Sequence, residues 1–265
     1  MLSKEFDLAA KVALITGAGR GIGSGIAEVL AEAGATVAIN ALTAEYAEPT
    51  ARSIREHVGG AAIVEVFTGD VTQTPGAESL VERVLGRFGR IDVLVNNLGD
   101  AIMEPLVALP ETTTRTIDDE HLQRILDLNL MATMRVTRAV GAHFLERRSG
   151  KVINIGSFTV ARGGGRVVIY TAAKAAVEGF TRAQALEWAR YNIQVNAIAP
   201  GLFPDPRTQT EERAKASHEF IARIAPLGRA GRLREVGLLA LYLASSASDY
   251  MTGQTLYLDG GASIR

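Results

Sequence analysis

"VALITGAGRGIG", residues 12–23, runs from an apolar strand-like stretch through spaced glycines into the first segment with helical periodicity. Gly17, Gly21 and Gly23 give the pattern G-x-x-x-G-x-G, with Gly19 as an extra. A strand must turn sharply into a helix there while its backbone lets something bulky approach, and residues without Cβ permit both. The helix N-terminus that follows offers N–H groups and a partial positive charge to a pyrophosphate. The spacing is not that of the common G-x-G-x-x-G fingerprint. A tight strand–helix turn with no ligand would need similar glycines. The position directly after the first strand favours the phosphate reading.

Working outward, short β-branched runs recur at Val12–Thr16, Thr36–Ile39, Ala62–Phe67, Val93–Asn96, Val152–Ile155, Gln194–Ile198 and Thr255–Leu258. Helical periodicity fills the intervals at about 22–33, 45–57, 77–88, 119–147, 170–190 and 234–245. Several strands are apolar nearly throughout, as expected when helices cover both faces of a parallel sheet. The alternation predicts an α/β fold: a doubly wound parallel sheet of about seven strands in three layers. No Pro/Gly/Ser-rich linker divides the chain, so residues 1–265 read as one domain. Two irregular segments, about 100–118 and 201–225, follow strand ends, where open α/β sheets bind ligands.

The 265-residue chain is 47% hydrophobic, carries a formal net charge of −1 and has no cysteine. Disulfides, thiolate nucleophiles and thiolate metal sites are thereby excluded, and no metal site is assigned. No basic stretch suggests a nucleic-acid partner, and no window approaches the ~20 apolar residues of a membrane span. The expectation is a soluble cytoplasmic protein with a small-molecule partner.

Further motifs sit at strand ends. "GDV" (Gly69–Val71) follows the third strand, where Asp70 can accept from an adenine amino group or simply cap a helix. "NNLG" (Asn96–Gly99) ends the fourth, with Gly99 leaving room for a cofactor ring or making a plain turn. "INIGS" puts Ser157 at the end of the fifth strand, thirteen residues before Tyr170. "LDLNL" places Asn129 within a helix, an unfavourable place for asparagine unless its amide has a local use. "NAIAPG" (Asn196–Gly201) ends the sixth strand in a Pro-Gly turn.

"YTAAK" (Tyr170–Lys174) pairs a phenol with an ammonium one helical turn apart, on one helix face. Tyrosine titrates near ~10, and proton transfer near neutrality asks for roughly 4 kcal/mol of help. A unit charge about 4 Å away at an effective dielectric of 20 supplies about that much. An exposed amphipathic helix face would show the same pair, so the surrounding motifs have to decide.

In this order and spacing, from Lys11 to Gly261 and including "YMTGQTLYLDGG", the segments resemble the short-chain dehydrogenase/reductase family. More narrowly, they are similar to its single-domain branch with 3-oxoacyl-carrier-protein reductases and polyol or sugar dehydrogenases. The resemblance implies a Rossmann-like fold and hydride transfer between a nicotinamide cofactor and a ketone, sugar, polyol or 3-oxoacyl substrate. It makes Tyr170 the general acid or base, with Lys174 lowering its pKa and bonding the cofactor ribose. It makes Ser157 the group that orients the carbonyl, and Asn129 the holder of a relay water. Gly17, Gly19, Gly21, Ile22 and Gly23 would surround the cofactor phosphates. Asp70 and Val71 would meet the adenine, Asn97 and Gly99 the neighbouring ribose region, and Pro200 and Gly201 would pass over the cofactor.

NAD-preferring relatives usually carry an aspartate just past the second strand, which repels a 2′-phosphate. Here "INALTAE" puts Ala41 at that position. Arg20 resembles the basic residue of NADP-preferring members, and Asn40 and Thr43 can donate to a phosphate. NADP(H) is favoured, with NAD(H) as the alternative.

Three features depart from the family pattern. Leu98 replaces the small residue usual in "NNAG", and "LPETTTRT" lengthens the segment between Gly99 and Asn129. Asp205, in "LFPDP", stands near the position of a threonine that meets the nicotinamide amide, a job left to Thr208 or the main chain. Arg162 and Arg166, between Ser157 and Tyr170, suggest a charged or hydroxylated substrate. The family's helix and strand interfaces imply a homotetramer. Two rival readings are a non-catalytic dinucleotide-binding sensor and a sugar-nucleotide epimerase or dehydratase.

Overall fold

The computed structural model describes residues 4–59, 62–110, 115–208 and 210–265. Seven strands form one parallel sheet in the order β3-β2-β1-β4-β5-β6-β7. They are β1 (Val12–Ile15), β2 (Thr36–Ala41), β3 (Val64–Thr68), β4 (Val93–Asn96), β5 (Gly150–Ile155), β6 (Ile193–Pro200) and β7 (Thr255–Leu258). The order reverses between β1 and β4, so a crevice opens beyond their C-terminal ends.

Alternate residues of one strand feed different cores, which is why the strands read as continuously apolar. Ala13 and Ile15 pack with α1 (Gly21–Glu32), α2 (Ala44–Val58) and α9 (Leu233–Ala244), among Ile26, Leu30, Ile54 and Leu243. Val12 and Leu14 pack on the other face with α3 (Thr74–Phe88), α5 (Ala132–Arg147) and α7 (Val168–Trp188), among Leu80, Phe144 and Trp188. Each fully buried side chain of this size contributes about 1.5–3 kcal/mol. The three-layer architecture expected from the alternation is the one observed.

Three local features differ from the sequence reading. The continuous helix expected over 119–147 is α4 (Asp119–Leu126), a π-helical turn (Asp127–Met131) and then α5. Segment 201–225 holds regular structure among its described residues: a 3-10 turn at Pro206–Thr208 and then α8 (Glu211–Ile224). A short helix, α6 (Thr159–Arg162), follows Ser157. Segment 100–118 has no regular element where described, and its residues 111–114 lie outside the described residues. Among the described residues no helix is long and apolar enough to cross a membrane.

Candidate active site

The crevice beyond β1, β4, β5 and β6 is a cleft of about 1410 Å³. Pockets for drug-sized ligands measure about 300–1,000 Å³, so this larger space suits a dinucleotide together with a small substrate. Four of the expected residues converge on its inner wall: Asn129, Ser157, Tyr170 and Lys174.

Ser157 lies just past β5, buried, and its Oγ accepts from the Thr159 N–H at 3.2 Å and from the Thr159 hydroxyl at 3.0 Å. Ser157 also faces Tyr170, and its hydroxyl opposes the upward pull of burial on the phenol. Thr159 was not singled out in the sequence; its only signal was a hydroxyl two residues after Ser157.

Burial pushes the Tyr170 phenol above its ordinary value, and the nearby Asp100 charge adds to the effect. The expected lowering by Lys174 is not among the influences on the phenol. Lys174 Nζ lies 5.7 Å from the Tyr170 ring centroid and donates to the Ile155 carbonyl at 2.8 Å. The ammonium is itself buried, which lowers its pKa to about 8.

Asn129 is fully buried within the π turn. A π turn shifts the backbone bonding register, and the Asn129 Nδ2 takes up the Ile125 carbonyl at 2.9 Å and the Asp100 carbonyl at 2.8 Å. Its Oδ1 has no hydrogen-bond partner among the described residues. A Cβ on Gly99 would come within 2.6 Å of that oxygen and 3.1 Å of Lys174 Nζ. An unsatisfied acceptor and an ammonium thus face one narrow space, a setting that suits a bridging water.

At the other end, Gly17, Gly19, Arg20, Gly21 and Ile22 line the cleft, as do Asp70, Val71, Asn97, Gly99, Pro200 and Gly201. Gly17 and Gly21 have positive φ of 62° and 60°, which secures the sharp turn. Leu98 presses on this loop: a Cβ on Gly17 would meet Leu98 Cα at 2.9 Å. Gly23 sits behind the cleft, where a Cβ would strike Asn97 Nδ2 at 2.4 Å. Asn97 spends its amide on the carbonyls of Thr16 at 3.0 Å and Gly17 at 2.9 Å. Asn40 is buried and its Nδ2 bonds the carbonyls of Phe67 at 3.1 Å and Gly69 at 3.2 Å, so that amide holds two strand ends together. Asp70 Oδ1 accepts from the Thr72 N–H and hydroxyl at 2.9 and 2.6 Å. Arg20 is exposed, its guanidinium 5.8 Å from the centre of the Tyr46 ring.

A glycine loop opening a helix at the switch point fits the phosphates of a dinucleotide, and the orphaned Asn129 oxygen beside Lys174 fits a relay behind its reactive end. The family model described as enoyl-(acyl carrier protein) reductase matches residues 17–263. The chain belongs to the short-chain dehydrogenase/reductase family. It is 38% identical over 266 residues to a 2-dehydro-3-deoxy-D-gluconate 5-dehydrogenase of Dickeya dadantii, covering 98% of each chain. It is 37% identical to a 5-keto-D-gluconate 5-reductase of Escherichia coli, over 97% of this chain and 96% of the relative. A crystal structure of a gluconate 5-dehydrogenase from Burkholderia cenocepacia, in complex with NADP and tartrate, superposes with a TM-score of 0.87 at 35% identity, covering all of both chains. This short-chain dehydrogenase/reductase is an NAD(P)-dependent oxidoreductase acting on a carbinol or carbonyl carbon.

Proposed function

We propose that the enzyme interconverts a keto sugar acid and its hydroxy acid with NADP(H), using Ser157, Tyr170, Lys174 and Asn129. The observation that carries this reading is the convergence of those four side chains in one cleft with the glycine loop. When bound, the cofactor supplies or accepts the hydride at the reacting carbon. In reduction the Ser157 and Tyr170 hydroxyls hold the substrate oxygen, and Tyr170 gives it a proton. In oxidation Tyr170 takes the alcohol proton. Asn129 Oδ1 would hold a water beside Gly99 by accepting from it, and Lys174 Nζ would pass protons between that water and Tyr170.

NADP(H) is supported by the absence of a carboxylate at Ala41, by Arg20 on the cleft wall, and by the NADP in the Burkholderia relative. A sugar acid is supported by the names of the relatives and by Arg162, an exposed cation on the same wall as Ser157. Arg166 is not among the residues lining the cleft. The remaining expectations, a single domain over 1–265 and a homotetramer, are retained as part of this proposal. Exposed Met134 on α5 and Leu186 on α7 offer apolar surface for helix pairing.

The test is absorbance at the nicotinamide band with 5-keto-D-gluconate, other ketones and 3-oxoacyl thioesters, each with NADPH and NADH. Reduction of the keto acid with NADPH preferred is the expected result. Activity confined to acyl thioesters, or a preference for NADH, would overturn the corresponding half. Sedimentation showing a monomer at micromolar concentration would reject the tetramer.

A further inference from the structure

Asp205, from the loop after β6, reaches across the mouth of the glycine loop. Its Oδ2 accepts from the Gly21 N–H at 2.8 Å, at the first position of α1. Its Oδ1 accepts from the Arg207 N–H and Nε, each at 3.0 Å, and Arg207 Nη2 lies 2.9 Å from Oδ2. Arg207 continues the strap: Nη2 donates to Ser24 Oγ at 2.6 Å, and Nη1 to Thr50 Oγ1 at 3.3 Å. Thr50 in turn donates to the Gly19 carbonyl at 2.6 Å. One charged pair thus ties the post-β6 loop to α1, α2 and the glycine loop.

The carboxylate is 6% exposed. Burial alone would raise its pKa, but the Arg207 guanidinium and the two backbone N–H groups hold it down at about 2. It is an anion at every working pH. The N-terminus of α1 is also where a dinucleotide pyrophosphate gains most from helix N–H groups and the positive end of the dipole. Two anions then claim one small electropositive spot.

We propose that Asp205 and Arg207 form a charge-compensated latch in which the Asp205 carboxylate competes with the cofactor pyrophosphate for the N-terminus of α1, while Arg207 carries the balancing charge. This rests on the dinucleotide reading and adds to it a determinant of cofactor affinity. The latch stabilises the cofactor-free enzyme and weakens dinucleotide binding, because entry requires the carboxylate to give up the Gly21 N–H.

The experiment titrates NADPH by fluorescence on wild type, D205N, D205T and R207M, with cofactor-free melting temperatures measured beside it. Removing the carboxylate charge is expected to tighten NADPH by about three- to thirtyfold, the range of anion–helix-dipole interactions. The same D205T change lowers the cofactor-free melting temperature, since a helix cap is lost. R207M removes the guanidinium's balancing charge and weakens NADPH by several-fold. Opposite movement of stability and affinity is the signature. If D205N and D205T leave NADPH affinity unchanged, or weaken it along with stability, Asp205 is a plain structural cap and the latch is wrong. A wild-type protein that binds neither NADPH nor NADH would remove the dinucleotide reading itself, and the latch with it.

Discussion

Lys174 Nζ donates to the Ile155 carbonyl at 2.8 Å, fastening α7 to the end of β5 two residues before Ser157. The bond holds the Tyr170 helix against the strand that carries its partner hydroxyl. It also buries an ammonium, which is 3% exposed.

That burial makes stability depend on pH. The folded pKa of Lys174, about 8, lies below its ordinary 10.5. Between those values the unfolded chain binds the proton more readily, so the residue's contribution to stability rises with pH across that window. Below about 8 the penalty is constant. Lys174→Met should therefore show its greatest relative stability near neutrality. The variant-minus-wild-type difference, measured by urea unfolding, should fall by about 2 kcal/mol between about pH 7 and pH 10. A difference that does not change with pH would contradict the burial of the charge.

The raised phenol has a directional consequence. On the proposed mechanism, a protonated Tyr170 is the form needed to reduce a carbonyl, whereas oxidation needs it deprotonated. With gluconate and NADP⁺, kcat/KM for oxidation should climb steadily through the alkaline range, while reduction stays active near neutrality. Stopped assays across pH in both directions check this. An oxidation profile that is flat from about pH 6 upward would show that the phenol titrates low.

Arg162 is expected to read the acid group of the substrate. No hydrogen bond or ion pair ties its side chain to another described residue, and it lies one turn beyond Ser157 at the end of α6. D-Gluconate and D-glucitol differ only in a carboxylate against a hydroxymethyl group. Arg162→Met should lower kcat/KM for gluconate by about 10–100-fold, the loss of a charge-assisted bond, and leave glucitol within about twofold. Arg166→Met should change neither. Equal losses on both substrates would remove the acid-reading role.

Much of this architecture was legible because both faces of the sheet are covered. Leu14 and Ile15 serve different cores, so the strands stand out as apolar runs, and all seven appear in register with the reading. That Ser157, Tyr170, Lys174 and Asn129 would share one cleft was legible from their places at strand ends and on adjoining helices. The π turn was not, because its register shift leaves the apolar period of 119–147 almost unchanged, and only the awkward Asn129 hinted at it. Helix α8 was hidden by its Pro-rich approach, Pro204 and Pro206, which reads as loop. Asn40 and Asn97 line the cleft and also brace the strand ends and the glycine loop, while Gly23 packs against Asn97. Their surroundings come from residues distant in the chain, which no local pattern reveals. The Asp205–Gly21 bond spans 184 positions and is invisible for the same reason.

The central claim is that the Tyr170 hydroxyl transfers the proton, and Tyr170→Phe removes that oxygen alone. Single-turnover reduction of 5-keto-D-gluconate by NADPH, run beside an NADPH titration of the same variant, measures it directly. The account predicts a rate about 10²–10⁴-fold below wild type with cofactor affinity within about twofold. A variant that binds NADPH and turns over at more than a tenth of the wild-type rate would contradict it.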